Sequence, residues 1–184
     1  IVAECCAHHP KEGEAKWKPI GAGATKTRDD WMRWIRSRGV PECQAGAWVR
    51  PNPVRVGGSG KNGAFTDRDV VAHRFLVIES DMLPLDVQLS VLARVALPIA
   101  AIIHSGSRSY HGWVQLDAHD ATEFARQARQ IMGRLQNLGF DPANTNPSRM
   151  SRLPGACRHD LPSGTANQRL IYLNPDPRPQ PIIG

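Results

Sequence analysis

The sequence predicts an α+β domain of the split βαβ type, and three observations support this. Apolar runs of strand length begin at Phe75, Ile99 and Tyr110. Two further segments, beginning near Pro84 and Asp120, carry apolar residues at helical spacing. The resulting order β-α-β-β-α-β is that of an RRM-like sheet, in which the first and third strands are central neighbours. A chain of 184 residues, of which 41% are hydrophobic and 22% charged, is long enough to build such a domain.

The chain divides into an N-terminal α/β extension over residues 1–70 and an RRM-like core over residues 71–184. We expect the two parts to form one domain together. Because the first residue is Ile1 and not Met, we also expect the chain to be part of a longer protein.

The extension contains one predicted helix and one predicted loop. Residues 28–38 form the helix, which ends at Gly39 and places three apolar residues on one packed face: Trp31, Trp34 and Ile35. Residues 51–63 are rich in Gly and Pro and predict a loop or hairpin. This loop is not a phosphate loop, because Arg55 stands at the first glycine position and Asn62 replaces the Ser or Thr that would hold magnesium.

The core strands are defined by their apolar runs and by the turns between them. Residues 75–78 predict the first strand, residues 99–103 the second, and residues 110–116 the third. A fourth strand is expected near residues 150–153 or near residues 169–173.

Two helices are predicted beside these strands. The first begins near Pro84 and has four apolar residues at helical spacing: Leu85, Leu89, Leu92 and Ala96. The second begins at Asp120, whose spacing to Glu123 fits a capping box, and ends at Gly139. Its core-facing residues are Phe124, Ala128, Ile131, Leu135 and Leu138.

The charge and the cysteines restrict the class of protein. A net charge of +6 favours a polyanionic partner. No apolar stretch is long enough to span a membrane and no leader is evident, so a cytoplasmic protein is expected. The four cysteines lack the spacing of a disulfide framework and predict reduced thiols: Cys5, Cys6, Cys43 and Cys157. Cys5 and Cys6 lie near His8 and His9, but adjacent cysteines are a weak indication of zinc.

Two carboxylates follow the first core strand. In an extended chain Glu79 and Asp81 project from the same face. Two acids so close repel each other unless one is protonated or a divalent cation lies between them. Oxygen ligands on a rigid scaffold are those that Mg²⁺ or Mn²⁺ prefers, although an acidic loop after a strand explains the pair equally well.

A turn with phosphate-binding chemistry joins the second and third strands. Ser109 and His111 are again two residues apart, and we expect them on the face that carries Glu79 and Asp81. His111 and Ser109 can both hydrogen-bond to a phosphate oxygen, and Arg108 adds positive charge. A structural histidine is the competing interpretation.

A third group of polar residues follows the second helix. Asp141 lies directly after that helix and can return to the sheet as a third acid, with Asp117 and Asp120 as lower-ranked alternatives. The guanidinium groups of Arg149 and Arg152 match the geometry of phosphate oxygens. From composition alone, surface ion pairs explain these arginines as well.

Taken together, the three blocks resemble the three motifs of the archaeo-eukaryotic primase (AEP) superfamily. They are Glu79-Ser80-Asp81, Ser109-Tyr110-His111, and Asp141 followed by Asn-Pro-Ser-Arg149 and Ser-Arg152-Leu-Pro-Gly. More narrowly, residues 45–160 resemble primase-polymerase domains in the replication proteins of plasmids, phages and other mobile elements, which are often fused to a helicase. The resemblance implies an AEP-type primase fold, and a DNA primase or DNA polymerase, or both.

The resemblance also implies roles for individual residues. Glu79, Asp81 and Asp141 are expected to bind two Mg²⁺ or Mn²⁺ ions. Five residues are expected to bind the nucleotide triphosphate: Ser109, His111, Arg108, Arg149 and Arg152. Lys61 and Arg158 are expected to contact nucleic acid. Because Asp-x-Asp is the commoner first motif, Glu79 predicts an altered metal geometry.

The implied partners are a single-stranded DNA template, a primer, deoxynucleoside or nucleoside triphosphates, and a fused or separate replicative helicase, in a bacterial, phage or plasmid-encoded setting. A non-catalytic nucleic-acid-binding domain on the same scaffold is the alternative. A rolling-circle nickase fits less well, because it needs paired metal-binding histidines and a nucleophilic tyrosine, and the only tyrosines are Tyr110 and Tyr172.

Overall fold

The computed structural model describes residues 2–8, 18–19, 23–41 and 44–183. Its three α-helices within these ranges are α1 (Arg28–Arg38), α2 (Leu85–Arg94) and α3 (Ala121–Leu135). The strands there are β1 (Val2–His8), β2 (Lys18–Pro19), β3 (Ala24–Thr25), β4 (Ala47–Arg50), β5 (Phe75–Ile78), β6 (Ile99–His104), β7 (Tyr110–Gln115), β8 (Ser151–Arg152), β9 (Cys157–Leu161), β10 (Gly164–Asn167) and β11 (Arg169–Leu173). This is the predicted α+β class, with strands and helices close to their expected bounds.

The core sheet is antiparallel and contains four of the strands, in the order β11-β6-β7-β5. Because β7 pairs antiparallel with both β5 and β6, the latter two run in the same direction on either side of it. This is the split βαβ unit that the order of elements predicted. One apolar core contains residues from this sheet and from both core helices, among them Leu76, Ile78, Ile102, Leu92, Phe124 and Met132.

The first core strand differs from the prediction in its position. It does lie next to the third strand, but among the described strands β5 is at the edge of the sheet, because β11 pairs with β6 instead. The Asn52 side chain occupies the outer edge of β5: its Oδ1 accepts from the Arg74 and Phe75 amides, and its Nδ2 donates to the Phe75 carbonyl. A side-chain amide thus takes the hydrogen bonds that a neighbouring strand would have used.

A second sheet combines the N-terminal strands with β8. Its order is β2-β1-β4-β8, with β3 also paired to β1. In this sheet β8 pairs antiparallel with β4, Val49 opposite Ser151 and Trp48 opposite Arg152. The two alternatives for a fourth core strand therefore both form strands, but in different sheets. The weakly patterned N-terminal residues gave no prediction of β1.

The three helices follow their capping signals. Helix α1 has Thr27 as its N-cap and Gly39 at its C-terminus, with Trp31 buried and the other two apolar residues of its face half-buried. Helix α2 ends at Arg94, so Ala96 lies beyond it and is exposed, contrary to the prediction.

Helix α3 begins as predicted, because the Asp120 carboxylate accepts a hydrogen bond from the Glu123 amide. The helix gives way to a 3₁₀ turn over Gln136–Leu138 before the left-handed Gly139. Leu138, predicted to face the core, is instead 46% exposed, because the tighter turn rotates it away from the buried face.

The polar loop between β4 and β5 is organised around one buried carboxylate. Asp69 accepts hydrogen bonds from the Thr66 and Ser59 amides and from the Arg55 side chain. Together these contacts lower the pKa of Asp69, the Thr66 amide being the largest cause.

Two further expectations concern zinc binding near the N-terminus and membrane-spanning segments. Cys5, Cys6 and His8 lie on β1, but His9 is outside the described residues, so the question of zinc is not addressed. Within the described ranges, no helix combines the length and apolar character needed to cross a bilayer.

Candidate active site

Glu79 and Asp81 lie where β5 leaves the core sheet. Ser80, between them, is fully buried and donates to the Gly139 carbonyl at 2.6 Å, while its hydroxyl accepts from the Met82 and Leu83 amides. The side chain of Glu79 is only 15% exposed, whereas that of Asp81 is 57% exposed. We call the end of β5 that carries these two carboxylates the rim. The Glu79 carboxylate is on its buried side and the Asp81 carboxylate on its solvent-exposed side.

The inner carboxylate contacts two basic side chains. Glu79 Oε2 is 3.0 Å from His111 Nε2, and Oε1 accepts from the Arg149 guanidinium. Burial raises the pKa of Glu79, but the hydrogen bonds and charges of His111 and Arg149 outweigh it and lower the pKa to about 2. Glu79 is therefore ionised at neutral pH.

The outer carboxylate forms a bidentate ion pair. Arg108 donates through Nε and a terminal nitrogen to the two oxygens of Asp81, at 3.1 and 3.0 Å. Both side chains are more than half exposed. Solvated pairs of this kind contribute little to stability, so Arg108 can leave Asp81 at small cost.

Asp141, the predicted third acid, contacts Glu79 through the backbone. The Asp141 amide donates to the Glu79 carbonyl at 3.0 Å, while its carboxylate accepts from the Ala143 amide at 3.0 Å. Across the described part of the chain, no three His, Cys, Asp or Glu side chains are grouped closely enough to hold a metal ion. The metal triad therefore stays a prediction. Asp120 is engaged in capping α3.

A buried amide beside Glu79 suits a cation. Asn144 is fully buried, and its Nδ2 lies 3.5 Å from Glu79 Oε1. Its Oδ1 is also buried, and no donor within the described ranges reaches it. An ionised carboxylate next to an unsatisfied amide oxygen has the donor chemistry that Mg²⁺ and Mn²⁺ prefer. The residues present therefore fit a hard divalent cation, once the basic partners of the carboxylates move away.

His111 and Ser109 are both buried on β7 or directly before it, 5% exposed each. Ser109 Oγ donates to Ser105 Oγ at 3.3 Å, within the turn that carries Arg108. His111 contacts Glu79 through Nε2, and its Nδ1 is 3.1 Å from Ser151 Oγ. Of the residues expected on one face, His111 and Glu79 are in contact, whereas the Ser109 hydroxyl contacts Ser105 and Asp81 pairs with Arg108.

Arg149 is carried by a segment that the β4–β5 loop holds in place. Asp67 accepts from the Ser148 amide at 3.1 Å and from its hydroxyl at 2.6 Å, and Arg50 donates to the Ser148 carbonyl. These contacts position the residue that immediately precedes Arg149.

Arg152 is a partly buried cation near the site. Its guanidinium lies 4.0 Å from the centre of the Trp48 ring and donates to the Ala45 carbonyl at 2.6 Å. Burial, reinforced by the charge of Arg158, lowers the pKa of Arg152. A desolvated cation next to a second cation favours an anionic ligand.

The two residues expected to contact nucleic acid, Lys61 and Arg158, differ in exposure and in their partners. Lys61 is exposed at the start of a 3₁₀ turn, Lys61–Gly63, in the β4–β5 loop. Arg158 forms a bidentate pair with Asp160, in which both side chains are largely buried. Within the described residues, no hydrogen bond or ion pair joins Lys61 to Glu79 or Asp81.

Sequence reasoning missed four residues of the site: Asn52, Asp67, Asn144 and Ser151. Each is a small polar residue whose partner lies at least 22 positions away in the chain. Full burial marks three of them, Asn52, Asn144 and Ser151, but burial cannot be read from sequence.

The comparison with solved structures gives one similar fold. The chain is similar to the AEP domain of the primase-polymerase (PrimPol) of cyanophage S-2L, with a TM-score of 0.55 and 18% sequence identity. The match covers 94% of this chain and 82% of that domain. No family model and no curated protein sequence matches. At this identity the likeness shows the fold, which is the AEP-type fold expected from the motifs.

Proposed function

We propose that this protein is a template-directed nucleotidyltransferase, a DNA primase or DNA polymerase or both, that adds nucleotides to a 3′-hydroxyl. The observation that carries the proposal is the rim itself. Two ionisable acids two residues apart, Glu79 and Asp81, each contact basic side chains of a kind that bind phosphate. The similarity to a primase-polymerase domain supports the same class of function.

Glu79, Asp81 and Asp141 are the residues that would hold the two divalent cations, with Asn144 beside them. When bound, such ions lower the pKa of the attacking hydroxyl and neutralise charge on the leaving pyrophosphate. The unusual Glu79 is still a hard oxygen ligand, so the change from Asp affects geometry more than affinity.

The basic residues would exchange one anionic partner for another. In the free protein Arg108, Arg149 and His111 donate to the two carboxylates. When the triphosphate binds, these donors turn to its oxygens, and the carboxylates become available as ligands. Arg152 and Ser109 add further donors nearby.

In the reaction the 3′-oxygen of the primer forms a bond to the α-phosphorus, and the bond from that phosphorus to the bridging oxygen of the β-phosphate breaks. Pyrophosphate carries away the electron pair, and the hydroxyl proton passes to solvent. The protein contributes position and electrostatic stabilisation rather than a covalent intermediate.

The proposed partners are single-stranded DNA, a primer and nucleoside triphosphates. Lys61 and Arg158 stay predicted contacts for the nucleic acid. A helicase, fused or separate, and a cytoplasmic setting also stay predictions from the resemblance.

A non-catalytic nucleic-acid-binding domain is a second candidate, and one observation favours it. Because Arg108, Arg149 and His111 already balance both carboxylates, the rim does not need a metal to accept a polyanion. In that case Glu79 and Asp81 would only orient the basic side chains for the DNA backbone.

Calorimetry with Mn²⁺ and a non-hydrolysable deoxynucleoside triphosphate separates the two candidates. The enzyme binds the triphosphate tightly only with Mn²⁺, and Asp81→Asn removes that dependence. The matched control is Asp86→Asn, an exposed acid in the first turn of α2, which should bind like the wild type. Metal-independent, weak triphosphate binding together with tight DNA binding would favour the non-catalytic domain.

A further inference from the structure

One hydroxyl group joins the two sheets directly beneath the proposed site. Ser151, on β8 of the N-terminal sheet, is fully buried and approaches two side chains of β7 in the core sheet. Its Oγ is 3.1 Å from His111 Nδ1 and 2.8 Å from Trp113 Nε1. His111 and Trp113 are two residues apart on one strand, so both project towards Ser151 from the same face.

The hydrogen bonds around the imidazole determine which nitrogen carries its proton. The backbone amide of Arg152 donates to His111 Nδ1 at 3.4 Å, and an amide N–H can only donate. Nδ1 must therefore be an acceptor, which places the proton on Nε2.

The Ser151 hydroxyl has the matching orientation. The Trp113 indole N–H is donor-only, so Ser151 Oγ accepts from it and directs its own proton to His111 Nδ1. On the other side of the ring, Nε2–H points to the ionised Glu79 carboxylate, which can only accept. The contacts on both sides of the imidazole agree on the same tautomer.

We infer that Trp113 and Ser151 are positioning residues that hold His111 with its Nε2 proton directed at the rim. This inference rests on the proposed function, because a triphosphate oxygen would replace Glu79 as the acceptor of the hydrogen bond from His111 Nε2. Which imidazole nitrogen can donate is set by the hydrogen bond that the other nitrogen makes. His111 is thereby a preorganised donor that needs no change of tautomer when the nucleotide arrives.

The role of Trp113 can be separated from its packing. Its ring also contacts Phe75, with 5.9 Å between the ring centres. Trp113→Phe keeps an aromatic ring at that contact and removes the indole donor together with the five-membered part of the ring system. Ser151→Ala removes the hydroxyl and leaves a small side chain at a fully buried position.

The first arm of the test is the ¹⁵N spectrum of the imidazoles at a fixed neutral pH, without any nucleotide. The His111 signals are assigned by their absence from His111→Gln. In the wild type we expect Nε2 protonated and Nδ1 as a strongly hydrogen-bonded acceptor. In Ser151→Ala and Trp113→Phe the Arg152 amide and Glu79 keep the same tautomer, but the Nδ1 resonance should move towards that of a less strongly hydrogen-bonded nitrogen. A wild-type spectrum with the proton on Nδ1 would overturn the inference. So would an Nδ1 resonance that is the same in both variants as in the wild type.

The second arm is the affinity for a non-hydrolysable deoxynucleoside triphosphate with Mn²⁺. Each single variant should weaken triphosphate binding on the order of tenfold. The double variant should bind no more weakly than the single variant with the larger loss of affinity, because both substitutions break one hydrogen-bond chain. Trp34→Phe, the same substitution on α1, is the control that should bind like the wild type. Additive losses of affinity in the double variant would show that Trp113 and Ser151 do not act through one hydrogen-bond chain.

The two arms keep this inference distinct from the proposed function. If the wild type does not bind the triphosphate at all, the proposed function fails, and the tautomer spectra alone decide the role of Trp113 and Ser151. If the wild type binds but the spectra do not change, the function survives and the positioning role is wrong.

Discussion

Arg149 and His111 contact opposite oxygens of the same Glu79 carboxylate, so the acid at the end of β5 is held between two donors. The two donors come from different parts of the chain, β7 and the segment before β8. A carboxylate in this position is kept ionised, and the positive charge of Arg149 opposes the binding of a cation beside it. Release of Arg149 is therefore a condition for metal binding in the proposed reaction.

The Arg149→Gln variant tests this competition. Without the guanidinium, Glu79 should bind Mn²⁺ in the absence of nucleotide more tightly, on the order of tenfold, because one positive charge near the ion has gone. Its affinity for the triphosphate with Mn²⁺ should fall, also by about tenfold, through loss of a charge-assisted hydrogen bond. Electron paramagnetic resonance of free Mn²⁺ measures the first effect and calorimetry the second.

The matched control for Arg149→Gln is Arg178→Gln, whose guanidinium is 74% exposed and pairs only loosely with Asp176. This variant loses the same charge at a position outside the rim, and it should leave the affinities for Mn²⁺ and for the triphosphate unchanged. Equal Mn²⁺ affinity in Arg149→Gln and the wild type would show that Arg149 does not compete with the metal.

The buried Asp69 predicts a pH dependence of stability. Its pKa is lowered from an ordinary value of 3.8, so its contribution to folding is complete well above that pH and is lost as the pH falls below it. Asp69→Asn should be less stable than the wild type from pH 7 to about pH 5, with the difference shrinking below about pH 4. Urea unfolding at a series of pH values measures it, and a difference that grows on acidification would contradict the assigned role.

Substitutions at two glycines should change the free energy of unfolding in opposite directions. Gly112 lies between His111 and Trp113, and a Cβ there would be 3.0 Å from side-chain carbons of both Ile78 and Leu92. Gly112→Val should therefore reduce the free energy of unfolding by about 1–3 kcal/mol through overpacking between β7 and α2.

The control is Gly133→Ala, inside α3, where a Cβ would meet nothing within 4 Å. It should raise the free energy of unfolding by about 0.5–1 kcal/mol, because alanine has the better helix propensity. Urea unfolding at pH 7 measures both variants. A Gly112→Val protein as stable as the wild type would mean that the contact between β7 and α2 is looser than these distances indicate.

The sequence was most informative where one short segment carries its own signal. The four apolar residues of β5 and the Asp120 cap of α3 were predicted at the positions where the structure has them. These features depend on neighbours within a few residues, so periodicity and capping chemistry are sufficient to locate them.

Features that depend on distant partners were not predictable. The edge position of β5 follows from the pairing of β11 with β6, its outer edge is bonded by Asn52 from 23 positions away, and the contact of Ser151 with His111 spans 40 residues. In the candidate site, spacing predicted that Glu79 and Asp81 lie together, and composition allowed ion pairs for Arg149, but neither identified Arg149 and Arg108 as the partners of these two acids. Such pairings depend on how the two sheets and their loops are arranged, which no local pattern records.

The central claim is that Glu79 and Asp81 carry metal-dependent nucleotide incorporation, and one assay tests it most directly. Single-stranded DNA, with and without a primer, is incubated with deoxy- or ribonucleoside triphosphates and Mg²⁺ or Mn²⁺, and the extended products are measured. The matched controls are the exposed acids Asp86 and Asp176, both changed to Asn in one variant. We predict that the wild type and this control extend DNA, whereas the Glu79→Gln, Asp81→Asn double variant folds but extends none. Undiminished synthesis by the double variant, or no synthesis by the wild type under any of these conditions, would contradict the account.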